Sequence, residues 1–242
     1  MVLLENVAVG YNHKKIISDI NMEIAPGEIV TLIGPNGSGK STILKSIIGQ
    51  LPLLNGSIYV DGKDVAKLKQ AELAKLISIV MTERVRTELM TCREVVATGR
   101  YPYTNCMGIL GKEDDEKVAA AIERVRANEV AGSDFMQISD GQRQRVMIAR
   151  ALCQEPKLMV LDEPTSYLDI RYKLSILKTI KELAKKDGIT IIMSLHELDM
   201  AEKVSDRVVC LKDGRIDKVG TPEEVFEKGY IKKLFDIEDE DW

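Results

Sequence analysis

Eight consecutive residues have the types and spacing to hold a phosphate chain: Gly34-Pro35-Asn36-Gly37-Ser38-Gly39-Lys40-Ser41, followed by Thr42. They fit GxxxxGK[ST] between a strand-like run and a helix-like run. At average residue usage the pattern occurs by chance in about one chain in a hundred of this length. Glycines let backbone N–H groups approach phosphate oxygens with no Cβ in the way. The helix that follows points its positive end at the anion. Lys40 offers a mobile positive charge to the β- and γ-phosphates, and Ser41 a hydroxyl to Mg²⁺. A Gly-rich turn with no ligand is the bland alternative.

A second set lies downstream. Leu158-Met159-Val160-Leu161-Asp162-Glu163 is an apolar strand pattern ending in two carboxylates. Asp162 at the carboxyl end of a strand suits Mg²⁺, and Glu163 can polarise a water for attack on the γ-phosphate. An apolar strand with Asp-Glu is a weak signal alone and a strong one behind a phosphate loop.

Such groups need a sheet to position them. Strands are predicted at Glu28–Ile33, Ile77–Met81, Lys157–Leu161, Ile189–Met193 and Arg207–Leu211, mostly as continuous apolar runs of the kind covered on both faces. Helical patterns follow several of them, which predicts an α/β fold with a mostly parallel sheet. The first ~30 residues and Gly56–Gly62 read as short antiparallel pieces. About residues 83–154 read as a helical insertion in a single domain of 242 residues. Within it, Val118, Ile122 and Val125 form one apolar stripe of a helix expected over Glu113–Val130. The acidic start of that helix reads as a solvated N-terminus.

Composition narrows the class. Lys plus Arg is 34 against 38 Asp plus Glu, a mild acidic excess unlike that of nucleic-acid partners. No apolar run approaches the ~18 residues of a membrane span. Glu5 interrupts Met1–Gly10 before a signal core forms, so the cytosol is the expected compartment. Cys92, Cys106, Cys153 and Cys210 are far apart and never in a CxxC pair, which predicts single reduced thiols. The C-terminal Glu238-Asp239-Glu240-Asp241 run reads as a solvated tail.

Between the two sites, Ile138-Ser139-Asp140-Gly141-Gln142-Arg143-Gln144-Arg145 resembles the LSGGQ signature of ATP-binding cassette (ABC) ATPases. The order and spacing of phosphate loop, signature and acidic strand are similar to that family over essentially the whole chain. The resemblance implies a P-loop NTPase (RecA-like) core, ATP hydrolysis with Mg²⁺, and a head-to-tail dimer of two copies. It places Ser139 and Gly141 at the γ-phosphate of the ATP held by the other copy, with Gln142 in the same trans set. It assigns Tyr11 to stacking on adenine. Ser166-Tyr167-Leu168-Asp169 resembles the D-loop at the dimer interface. His196 matches the switch histidine on the γ-phosphate. His13 has no motif around it and reads as a surface residue.

Two positions depart from the family pattern. Asp140 stands where the signature usually has Gly; its expected role is a cap on the following helix, with its carboxylate away from phosphate. Thr82 and Glu83 stand where a Gln is usual. The expectation is that Thr82 faces the site and reaches Mg²⁺ through a water, while Glu83 points toward the insertion or a membrane partner.

Arg93-Glu94-Val95-Val96-Ala97-Thr98-Gly99-Arg100-Tyr101-Pro102-Tyr103 resembles the corresponding stretch in importers of ferric siderophores, haem and cobalamin; an ordinary helix and Pro-marked loop is the alternative. This implies permease subunits as partners, a periplasmic or surface binding protein indirectly, and a place on the cytoplasmic face of the membrane. An importer ATPase for another substrate class and a soluble ABC ATPase remain alternatives. A phosphotransferase kinase is disfavoured, because it has no use for a signature acting in trans.

Overall fold

The computed structural model describes residues 1–12, 14–82, 87, 89–104, 108–227 and 229–237. The predicted contrast between the opening residues and the apolar runs appears as two sheets. The chain begins with a hairpin, β1 (Val2–Tyr11) and β2 (Lys14–Ile24), then enters the second sheet with β3 (Ile29–Ile33) and α1 (Lys40–Ile47). It returns to the first with β4 (Asn55–Val60) and β5 (Lys63–Asp64), and passes through α2 (Gln70–Leu76) to β6 (Ile77–Val80). Three helices follow: α3 (Cys92–Ala97), α4 (Lys112–Arg124) and α5 (Asp140–Cys153). The remainder alternates: β7 (Leu158–Asp162), α6 (Ile170–Asp187), β8 (Thr190–Ser194), α7 (Leu198–Val204), β9 (Arg207–Lys212), β10 (Arg215–Gly220), α8 (Pro222–Val225) and α9 (Tyr230–Phe235).

The first sheet has order β2-β1-β4-β5 and antiparallel neighbours. The second has order β10-β9-β3-β8-β7-β6, parallel except for β10 on β9. Successive residues of its inner strands point to opposite faces, as the pleat requires. Met159 and Leu161 of β7 enter one core with α5 and α6, while Leu158 and Val160 enter the other with α1 and the antiparallel sheet. Both faces are thereby covered, which explains why these strands lack polar alternation.

The helical stretch between β6 and β7 differs in detail from the sequence expectation. The helix expected over Glu113–Val130 stops at Arg124, because Arg126 takes a left-handed φ of 58°; a short 3₁₀ turn at Asn128–Val130 follows. Val118, Ile122 and Val125 do form the buried stripe. The acidic start is not simply solvated. Asp114 pairs with the buried Arg100 at 2.9 Å and Asp115 with Arg93 at 3.0 Å. Arg100 also holds Glu155 at 2.8 Å and the Cys153 carbonyl at 2.9 Å, tying α4 to the end of α5. Cys92, Cys153 and Cys210 are free and buried; burial raises the thiols of Cys153 and Cys210 to about 11. His13, Glu83, Cys106 and the acidic tail lie outside the described residues.

Candidate nucleotide site

The carboxyl ends of β3, β7 and β8 are neighbours in the parallel sheet, and each delivers part of one site. From β3 comes the loop Gly34–Gly39. Its first residue must be glycine: φ is 149°, and a Cβ there would lie 2.2 Å from the Leu211 carbonyl oxygen. The loop ends at Gly39, the left-handed N-cap of α1, and no side chain caps that helix. Its first-turn N–H groups are therefore left for an anion. Asn36 and Gly37 are exposed, Pro35 is half-buried, and Ser38 and Thr42 are buried. Ser38 Oγ is buried with no hydrogen-bond partner among the described residues.

Lys40 is only 6% exposed and curls back over the loop. Its ammonium donates to the carbonyls of Gly34 at 2.7 Å and Pro35 at 3.0 Å. Burial pulls this ammonium below its ordinary value, opposed by the nearby carboxylates of Glu163 and Asp162. A phosphate chain beside it would supply the negative charge that burial demands.

Ser41 Oγ donates to Asp162 Oδ1 at 3.2 Å, so the first turn of α1 meets the end of β7. Asp162 pairs in register with Ser194 of β8, and Ser194 Oγ donates to the same oxygen at 2.7 Å. The Glu163 amide in turn donates to Ser194 Oγ at 3.0 Å. Ser194 therefore fixes both carboxylate residues, and sequence reasoning missed it. Its signal was slight: a polar residue at the end of an apolar strand, two before His196.

Glu163 sits at φ 50°, a left-handed turn that swings its side chain off the line of the strand. Its Oε1 meets His196 Nε2 at 2.5 Å and its Oε2 accepts from Ser166 Oγ at 2.9 Å. Behind this pair, Glu197 accepts from Thr165 Oγ1 at 3.0 Å and pairs with Lys173 of α6. Thr82 lies just past β6, and its hydroxyl donates to the Asp162 carbonyl at 2.8 Å. Thr82 thus reaches the site's edge with its proton committed to the backbone of β7.

The donor set fits Mg²⁺ arriving with a nucleotide. One carboxylate and one hydroxyl converge, both hard oxygens, and no cluster of three His, Cys, Asp or Glu exists among the described residues to hold a metal alone. Mg²⁺ is characteristically bound by one or two carboxylates together with substrate phosphates and waters.

Other predicted residues stand apart from this centre. Ser139 is exposed and is the N-cap of α5: its Oγ accepts from the Gln142 amide at 3.3 Å, and Gln142 Oε1 accepts from the Ser139 amide at 3.0 Å. The cap is therefore Ser139 and not Asp140. Asp140 occupies the first helical position and pairs with Arg143 at 2.7 Å, because a carboxylate one residue into the helix can reach the side chain one turn on. Gly141 is buried against Tyr172; a Cβ there would lie 2.3 Å from the ring. Asp169 caps α6 by accepting from the Tyr172 amide at 3.0 Å, and Tyr167 before it is 78% exposed at φ 63°. Tyr11 ends β1 with an exposed ring. Its hairpin abuts the phosphate loop through Ile16 and Ile17, which flank Gly39.

Comparison with known proteins agrees with this geometry. Residues 17–166 match the family described as ABC transporter. An uncharacterised ABC transporter ATP-binding protein of Methanocaldococcus jannaschii is 40% identical over 98% of this chain and 82% of its own length. The iron(3+)-hydroxamate import ATP-binding protein FhuC of Bacillus subtilis is 39% identical over 98% of this chain and 88% of its own. The ATP-binding cassette MJ0796, solved as a dimer in a post-hydrolysis state bound to ADP and Pi, superposes with a TM-score of 0.79 at 30% identity, covering 92% of this chain and 99% of that one. The fold is that of the P-loop ATPase cassettes, and the chain belongs to the ABC transporter family.

Proposed function

We propose that this chain is the ATP-hydrolysing subunit of an importer, driving uptake of a metal chelate of the ferric siderophore, haem or cobalamin type through separate permease subunits. The observation that carries it is the meeting of Lys40, the Ser41–Asp162 pair and the Glu163–His196 pair at one end of the parallel sheet. The chelate class is supported by the import role in the name of the Bacillus relative. The whole chain then acts as one nucleotide-binding domain, with its helical part at about residues 83–154 facing the permease.

The residues divide the work as follows. The backbone of Gly34–Gly39 and the first turn of α1, with Thr42, cradle the phosphates, while Tyr11 offers a flat ring to adenine. Lys40 exchanges its two carbonyl partners for β- and γ-phosphate oxygens. Ser41 and Asp162 would hold Mg²⁺, which neutralises phosphate charge; the lone pairs of the Thr82 hydroxyl remain to accept from a water on that ion. Glu163 takes a proton from the attacking water, and ADP leaves as phosphate forms. His196 keeps the Glu163 carboxylate aimed and reaches the γ-phosphate. Ser139, Gly141 and Gln142 act on the ATP of a second copy, and the Ser166–Asp169 segment lies at the interface between copies.

ATP binding to both copies closes the dimer; loss of the bridging γ-phosphate reopens it. That cycle moves the helical part and the permease docked on it. The chain works at the cytoplasmic face, and among the described residues no helix is long and apolar enough to cross a membrane. The periplasmic or surface binding protein delivers substrate without touching it, and nucleic acid has no part in the cycle. The test is co-purification with the co-expressed permease, then uptake of candidate chelates by vesicles holding the complex. ATP-dependent uptake of one chelate is expected. An active ATPase that retains no permease would instead favour the non-transport reading.

A further inference from the structure

Asp140 stands between the two residues assigned to the ATP of a second copy, Ser139 and Gly141. It is the first residue of α5, where the helix turns its positive end outward. That end is what a γ-phosphate would meet. A loose carboxylate there would repel the phosphate and compete for the same N–H groups. The Asp140 side chain is 42% exposed, so burial alone does not keep it back.

The restraint is Arg143, one turn on and only 16% exposed. One terminal nitrogen of its guanidinium, Nη1, donates to Asp140 Oδ1 at 2.7 Å. The other, Nη2, donates to the Ile138 carbonyl at 3.2 Å and reaches the Met136 carbonyl at 3.4 Å. The fork therefore grips the chain on both sides of Ser139. Its carbon lies 5.6 Å from the centre of the buried Phe135 ring, a cation–π contact that steadies it.

The surroundings supply no substitute. The pair lines a small cleft of about 60 Å³ shared with Thr82, Glu163, Ser166 and Tyr167. Among the described residues lining it, Arg143 is the one cation, against the two carboxylates Asp140 and Glu163. Arg145 is committed elsewhere: it pairs with Glu129 at 3.1 Å and donates to the Arg126 carbonyl at 2.6 Å.

We propose that Arg143 is a positioning residue for the phosphate contact made in trans: it draws the Asp140 carboxylate off the start of α5 and holds Ser139 toward the ATP of the second copy. The inference rests on the head-to-tail reading above and adds the residue that lets this chain carry an acid between its two trans contacts. It fixes a sign. Without Arg143 the Asp140 charge becomes harmful, and removing that charge as well repairs most of the harm. A purely structural bracket around Ser139 gives no such repair.

The test uses the full chain. Arg143→Gln is expected to leave ATP binding by each monomer intact and to lower turnover about tenfold or more, since like charges brought together at an interface are costly. It should also weaken the ATP-bound dimer that Glu163→Gln traps in gel filtration. Asp140→Asn should turn over close to the parent. The double variant Asp140→Asn/Arg143→Gln should recover most of the loss, whereas lost packing would slow it as much as the single variant. Parental turnover in Arg143→Gln, or a double variant as slow as the single one, would overturn the proposal. Where Arg143→Gln does not fold, Arg143→Lys carries the comparison. It keeps the charge, so turnover near the parent's is expected, and a large loss that Asp140→Asn does not lessen would overturn the proposal. Mixing separates this idea from the reading beneath it. Arg143→Gln with Lys40→Ala should regain activity, as should Ser139→Arg with Lys40→Ala. If neither mixture does, the head-to-tail reading falls; if only the Ser139→Arg mixture does, Arg143 does not act in trans and the proposal alone falls.

Discussion

Lys40 and Ser139 are both assigned to phosphate, yet the chain treats them oppositely. Lys40 is 6% exposed, held by two carbonyls of its own loop and surrounded by groups from three strands of one sheet. Ser139 is exposed, and its hydrogen bonds close within the first turn of α5. The first region is complete before a ligand arrives, with backbone geometry open to glycine and a desolvated cation already in place. The second is a well-capped helix start with nothing to do in its own chain. In the function proposed above, the outward-facing half serves the ATP of a second copy.

Breaking the finished half should cost most at the chemical step. Glu163→Gln keeps the shape and the Ser166 contact but cannot accept the proton from water. We expect hydrolysis to fall by roughly 10²–10⁴-fold with ATP binding retained, and the ATP-bound dimer to persist in gel filtration. Near-normal turnover would remove Glu163 from the role of base.

Breaking the outward half should spare binding within each chain. Ser139→Arg is expected to lower turnover by about 10²–10³-fold, the worth of a donor aimed at developing charge, while each monomer still takes up ATP. Mixed with Lys40→Ala, it forms heterodimers with one competent composite site, so activity should reappear on mixing. If it never does, the two halves do not meet across copies and the contrast between them loses its meaning. Lys40→Ala alone should weaken ATP binding roughly ten- to hundred-fold, since charge-assisted hydrogen bonds made in the ground state are lost. Equilibrium binding of a fluorescent ATP analogue measures this, and parental affinity would contradict it.

The same contrast governs how much could be read from the sequence. The phosphate loop, the acidic strand and the five parallel strands were legible because each depends on local residue types: glycine spacing, a lysine beside it, apolar runs. Their ends shifted by a residue or so, as at Leu158–Asp162. What was hidden depends on register between distant segments. Ser194 matters only because β8 pairs with β7 so that it lies opposite Asp162. Asp114 looked like a solvated helix start until the buried Arg100 was placed beside it. The early stop at Arg124 turns on one left-handed residue, Arg126, which the apolar stripe running up to Val125 concealed. The role of Asp140 was misread because a cap and the residue after it differ by one position, and Ser139 won the cap with the help of Gln142.

The smallest effect is expected at Thr82, where the site meets the helical part. Its hydroxyl donates to the Asp162 carbonyl at 2.8 Å, so it anchors the end of β7 whatever else it does. Thr82→Val keeps the branched shape and removes the hydroxyl's hydrogen bond to that carbonyl. The loss should be about 1 kcal/mol of stability, or about 2–4 °C in Tm for a chain of this size. That much follows from anchoring alone. If the remaining lone pairs also hold a water on Mg²⁺, a further change should appear in activity: turnover lower by a few-fold, with more Mg²⁺ needed for half-maximal rate. Titrating Mg²⁺ at fixed ATP separates the two, because a purely structural loss lowers Tm and leaves the Mg²⁺ dependence where it was. An unchanged Mg²⁺ curve would confine Thr82 to the backbone of β7 and place the finished half of the site wholly within the loop, Asp162, Glu163 and His196.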